Sequence, residues 1–149
     1  MSFKYLMLSA SMMSILTSNI ISSGITKITN LYDQFVEHTE KHSLKSYHND
    51  IKDMDIHTKI EYTKLILKKY KDSKNEEIIF IIDKLTESIK NLQNRLTIIN
   101  HKISNHSSKY LHNYRTLDLS YDLQNLKCDV NILNQRLKIL KVTNNIYET

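Results

Sequence analysis

Residues 76–103 read EEIIFIIDKLTESIKNLQNRLTIINHKI, and their apolar members follow a strict rule. Ile78, Ile82, Leu85, Ile89, Leu92, Leu96, Ile99 and Ile103 are separated by alternating steps of four and three residues, without a miss. An α-helix turns once in 3.6 residues, so side chains at a mean spacing of 3.5 fall in one narrow stripe, whereas a strand needs a period of two. The spacing predicts one long helix over about 75–104. Ser73-Lys-Asn-Glu76 ahead of it has the form of a capping box, in which Ser and Glu satisfy each other's backbone N–H groups. Ile79, Phe80 and Ile81 make its first turns apolar all round, so that end is expected to be covered by more than one neighbour.

The rule recurs downstream. Leu119, Leu123, Leu126, Val130, Leu133, Leu137 and Leu140 repeat the same alternation and predict a second helix over about 117–143. Between the two lies NHSSKYLHNYRT, residues 105–116, polar, basic and aromatic, with no heptad. The two series differ in phase by two residues, so a loop is the simpler connection. Each helix is about 40–45 Å long at 1.5 Å per residue. Equal lengths and a polar linker predict an antiparallel hairpin. Neither seam holds an Asn or Lys of the kind that fixes oligomeric state, so the seams can close within the chain or zip between chains. Closure within the chain is expected, with upstream helices covering it. The tail Asn144–Thr149 reads as frayed. The expected fold is an all-α helical bundle with a long antiparallel coiled-coil-like hairpin (about 75–104 and 117–143).

Upstream, Ile25, Ile28, Tyr32, Phe35 and Val36 share a face and predict an amphipathic helix over 25–46. A polar stretch at 46–53 interrupts it. Ile56, Ile60, Leu67 and Tyr70 predict another helix over 54–72, capped by Asp53 or Asp55. Residues 5–26 carry no charge. Three readings of 1–24 stay open. As a signal peptide it has Lys4, an apolar stretch Tyr5–Leu16 and small residues near Ser22–Gly24, although Ser9, Ser11 and Ser14 dilute the apolar run. As an anchor it is long enough to span, with Ser11, Ser14, Ser18 and Ser22 on one face; membrane association through residues 5–23 would follow. As a first core helix it would end at Gly24 as C-cap. The remainder, 25–149, reads as a single helical domain.

Composition narrows function by exclusion. The 149-residue chain has no Pro and one Gly, so phosphate-cradling and dinucleotide-binding loops cannot be built. Ile, Lys and Asn are heavily used and Ala and Arg are scarce, which points to AT-rich coding: a large DNA virus, an intracellular microbe or a protist. The single cysteine, Cys128, cannot form an internal disulfide and falls on the second helix away from the seam; a small residue packed against another helix is the plainer expectation for it. The net charge of +5 is local, with the excess in 51–74 and 105–116 and the two long helices neutral.

Few side chains offer chemistry. His38 and His42 stand four apart, a zinc-site spacing, but Thr39 occupies the place a zincin gives to Glu and no third ligand is evident. Neither metal nor other cofactor is expected, and no acid, base or nucleophile constellation suggests an enzyme. Lys64, Lys68, Lys69, Lys71 and Lys74, with Tyr62 and Tyr70, form a basic patch that could grip phosphates. No nucleic-acid-binding signature accompanies it, so nucleic acid is the less favoured partner. Asn105-His-Ser107 is a glycosylation sequon in the expected loop. The expected function is non-enzymatic protein–protein interaction or a structural role. A protein partner, or a second copy joined through the seam (Ile82, Leu85, Ile89, Leu92, Leu96, Ile99; Leu123, Leu126, Val130, Leu133, Leu137, Leu140), is the expected one. The loop tip Lys109, Tyr110, His112, Tyr114 and Arg115 is the expected contact surface. Export is favoured over an intracellular scaffold or viral host-interaction protein, and anchoring comes third.

Overall fold

A computed structural model describes residues 23–40, 47–109 and 117–147 of the chain. Among them all regular structure is helical: α1 over 23–40, α2 His48–Asp53, α3 Ile56–Tyr70, α4 Glu76–Ser108 and α5 Ser120–Tyr147. The molecule is an all-α bundle organised on α4 packed against α5.

The two heptad series form that seam. Leu85, Leu92, Leu96, Ile99, Leu119, Leu126 and Leu140 expose no surface, and Ile78, Ile89, Ile103, Leu123, Val130, Leu133 and Leu137 are buried with them. Full burial of one such side chain contributes roughly 1.5–3 kcal/mol. Ile82 departs from the pattern. It is half-buried against the core while its neighbour Ile81 is buried, so the stripe slips by one residue at the start of α4. Among the described residues the apolar start of α4 is covered in part, with Ile78 and Ile81 buried and Ile79 and Phe80 exposed.

Three polar cross-links fix the orientation. Arg136 Nη1 donates to Lys84 O and Ser88 Oγ at 2.6 and 2.8 Å. Arg95 Nε donates to Asp129 Oδ2 at 3.0 Å, and Lys102 Nζ donates to both oxygens of Asp122 at 2.9 and 2.8 Å. As α4 numbers rise, their α5 partners fall, so the pair is antiparallel. These partly exposed ion pairs are each worth up to about 1 kcal/mol, less than one buried leucine, so the apolar seam supplies the stability and the ion pairs set the register.

Several boundaries differ from the sequence expectation. The box Ser73–Glu76 is not the cap of α4. Asn75 is, with extended backbone and its Oδ1 accepting from Glu77 N and Ile78 N at 2.9 and 3.3 Å. Its short side chain reaches the second and third helical N–H groups, while Ser73 Oγ accepts from Asn75 N instead. Asp55 precedes α3 but makes no side-chain cap; it takes left-handed backbone, φ 47°, and with Met54 forms the two-residue turn that joins α2 to α3. The polar break at 46–53 thus holds a short helix, because Ile51 and Met54 have a core to enter. α4 continues past 104 to Ser108, where the Ser107 and Ser108 hydroxyls donate to Ser104 O and Asn105 O. The sequon at Asn105 is therefore helical. α5 runs to Tyr147, so residues 144–147 belong to the helix: Thr143 and Asn144 are buried, and Asn144 continues the four-three spacing in polar form.

The other helices cover this hairpin. α3 buries Ile56, Ile60, Leu67 and Tyr70 as its spacing predicts; Thr63 fills the gap in that stripe, fully buried, its hydroxyl donating to Lys59 O at 2.7 Å. α1 buries Ile25, Ile28 and Phe35, with Leu31 and Tyr32 partly covered. Gly24 is not a C-cap. It lies inside α1 with φ negative, where an added Cβ would stand 2.9 Å from Ile89 Cγ2. Farther along, Asn100 Nδ2 donates to Leu31 O at 2.9 Å, so α1 runs in the same direction as α4. Of the helix expected over 25–46, residues 41–46 lie outside the described residues, as do 1–22 with the signal, anchor or core-helix question.

Candidate interaction surfaces

The basic patch sits on α3 and the turn after it. Lys64, Lys68, Lys69, Lys71 and Lys74 are all exposed. Helical spacing puts Lys64, Lys68 and Lys71 on one flank, while Lys69 lies farther round, its Nζ 5.1 Å from the Tyr70 ring centroid. The structure therefore divides the patch. Tyr70 is buried, with Lys69 over its ring, so it offers no open face to stack a base, whereas Tyr62 is exposed.

Of the expected loop tip, Lys109 is described. It is exposed at the C-terminal end of α4, its N–H donating to His106 O at 3.3 Å. Tyr110, His112, Tyr114 and Arg115 lie outside the described residues. The far side of that linker is held firmly. Tyr47 Oη donates to Asp118 Oδ1 and accepts from Leu119 N, tying the start of α2 to the start of α5. The Ser120 N–H and hydroxyl, with Tyr47, hold the Asp118 carboxyl below its ordinary value. Burial raises the Tyr32 phenol above its ordinary value, and the charges of Asp55 and Asp33 add to it.

Of the pair spaced for zinc, His38 is half-buried on α1 and His42 lies outside the described residues. Among the described residues no three of His, Cys, Asp and Glu gather into a metal-binding group. No described helix is long and apolar enough to cross a membrane. Cys128 is exposed, so among the described residues it is not packed against another helix.

The surface that sequence reading missed is apolar. Tyr121, Ile132, Ile139, Val142 and Ile146 of α5 are exposed, as are Ile79, Phe80 and Ile98 of α4 and Tyr62 and Leu65 of α3. Scattered apolar residues are ordinary on a protein surface, but those of α5 all lie on the face turned away from the seam. The signal for them was present, since α5 carries apolar residues at two helical phases and the stronger leucine series masks the weaker one.

No family model matches the chain, and no solved structure matches it. Over 75 residues it is 31% identical to "Uncharacterized protein L717" of Acanthamoeba polyphaga mimivirus. The matched stretch is 50% of this chain and 36% of that protein, so the chain spans little more than a third of its relative's length.

Proposed function

We propose that this protein is a non-enzymatic interaction or structural protein, working by helix-on-helix packing on the outer face of its α4–α5 hairpin. One observation carries the reading: the hairpin is locked within the chain by a buried seam and three polar cross-links, yet α5 keeps a row of large apolar side chains in solvent. A helix stiffened on one face and apolar on the other offers a partner a preformed surface, with little ordering cost on binding. Similarity to a mimivirus protein supports the large-DNA-virus reading of the composition, and with it a viral structural or host-interaction role beside the exported one.

The competing reading is nucleic-acid binding through the exposed Lys64, Lys68 and Lys71 flank of α3. Amine-reactive cross-linking in the native host separates the two. Links from Lys127, Lys138 and Lys141 of α5 to another polypeptide, or to a second copy, are expected. Links confined to Lys64–Lys74, with retention on single-stranded DNA that falls steeply with salt, would favour nucleic acid and overturn the proposal.

A further inference from the structure

The exposed row on α5 is a second heptad. Tyr121, Cys128, Ile132, Ile139, Val142 and Ile146 are spaced so that, with Asn125 and Gln135 between them, the interval alternates four and three along the whole helix. All but Asn125, which is half-buried, are exposed. α5 thus carries two seams on opposite faces: the leucine series closes on α4 within the chain, and the second is exposed at Tyr121, Cys128, Ile132, Gln135, Ile139 and Val142.

We propose that a second copy of this chain covers it, the two α5 helices pairing in parallel and in register as a two-stranded coiled coil. This rests on the protein-interaction reading above and names the partner. Residue type at each heptad place chooses the occupant. One set of alternate positions holds Asn125, Ile132, Ile139 and Ile146, and the other Tyr121, Cys128, Gln135 and Val142. β-Branched residues at the first set, with a lone Asn among them, are what parallel two-stranded pairing selects, the Asn fixing register and number of strands. In register, Asn125 meets its twin and Gln135 meets its twin, so each amide finds a hydrogen-bonding partner.

The antiparallel alternatives fit worse. Full antiparallel overlap sets Asn125 against Val142 and Gln135 against Ile132, leaving each amide against an aliphatic side chain. The shifted antiparallel register that joins Asn125 to Gln135 leaves Val142 and Ile146 uncovered. The flanking positions agree with the parallel arrangement. Gln124 would lie beside the second copy's Asp129, Asn131 beside its Arg136 and Lys138 beside its Thr143, with no like charges opposed. Asp129 and Arg136 keep their links to α4, since those lie on the seam side of the flank. With Cys, Gln and Val in place of leucine at the second set, the expected Kd is on the order of micromolar.

The test is sedimentation equilibrium of the full chain, run at about 100 µM, where a micromolar Kd gives mostly dimer. The mass should be about twice 17.6 kDa. Ile132→Lys with Ile139→Lys should return it to monomer with helicity and thermal midpoint unchanged, because these side chains are 40% and 54% exposed within one chain. Orientation is read with diamide, which takes two electrons and two protons from two thiols as a disulfide forms. In the parallel register Cys128 lies beside its twin, so wild type should cross-link and the double variant should not; Cys128→Ser should still dimerise. A monomer at that concentration, a dimer indifferent to the double variant, or a stripe-dependent dimer that diamide leaves unlinked would each overturn the proposal. A monomer whose midpoint falls in the double variant would overturn it too, and would place the occupant of this face within the same chain. If the chain is monomeric but stripe-dependent cross-links to a different polypeptide persist in the host, this inference fails while the interaction reading stands.

Discussion

Replacing Gly24 with alanine sets two effects of opposite sign against each other. Gly24 is helical, the second residue of α1 as described, so helix propensity alone favours alanine by at most about 1 kcal/mol. The new Cβ would stand 2.9 Å from Ile89 Cγ2, closer than carbon atoms pack. That methyl is fixed to a β-branched centre on a residue only 2% exposed, so it cannot swing aside as the end of a long side chain can. Overpacking of this kind costs about 1–3 kcal/mol. The net expectation is a loss of about 1 kcal/mol, lowering the thermal midpoint by about 2–4 °C for a chain of this size. Ile89→Leu removes the offending γ-methyl and, as a volume-conserving change, costs less than about 1.5 kcal/mol alone. In that background Gly24→Ala should become neutral or stabilising. Thermal denaturation followed by circular dichroism, run as a double-mutant cycle, measures the coupling. If Gly24→Ala raises the midpoint in the wild-type background, α1 does not approach α4 at this point. If it lowers the midpoint equally in both backgrounds, the glycine acts through its backbone, as a C-cap would, and the packing argument is wrong.

Other expectations follow from the same structure. Leu126→Asp with Leu133→Asp buries two unpaired carboxylates in the α4–α5 seam and should abolish cooperative unfolding; unchanged helicity and midpoint would refute the seam. Lys102→Met leaves the Asp122 carboxylate, its side chain 6% exposed, without its cation and should cost about 1–3 kcal/mol by urea titration, whereas adding Asp122→Leu should recover most of that loss. Asp55→Val places a β-branched side chain at φ 47° and should destabilise by about 1–2 kcal/mol, while Asp55→Gly should not, as judged by the urea midpoint. The Asp118 carboxyl is held below its ordinary 3.8 chiefly by the Ser120 N–H, so its contribution is present above that pH and lost as pH falls through the lowered value. Asp118→Ala should therefore flatten the acid limb of the stability–pH curve, and an unaltered limb would count against the turn.

Local pattern and tertiary context divided the fold between them. The long helices, their antiparallel hairpin and nearly all of their buried residues were legible, because a period of 3.5 sustained over several turns admits one secondary structure and one buried stripe. Ile82 packs against the core but shares its place in the stripe with the more deeply buried Ile81, because a run of isoleucines gives the stripe a choice near the start of α4. Helix ends were misread because caps and tails are settled by one or two hydrogen bonds whose donors the pattern does not reveal. Asn75 outcompeted Ser73, and Asn144 continued a seam that its polarity disguised. The break before α3 became a short helix because Ile51 and Met54 found a core.

The candidate site was less legible. Composition excluded phosphate-cradling loops and left a set of lysines that adjacency made look like one patch; helical geometry separates them by flank. The outward face of α5 was hidden for a physical reason. A helix that is apolar at two phases states that both are capable of burial, and the sequence alone cannot say which one the chain itself will use. By itself the sequence determined helix, stripe and hairpin, since these depend on spacing along one chain. Only the tertiary structure decided that leucine meets α4, that Gly24 is a point of close approach to Ile89, and that the isoleucine face of α5 is exposed among the described residues, because each depends on which surfaces meet when separate segments are packed together.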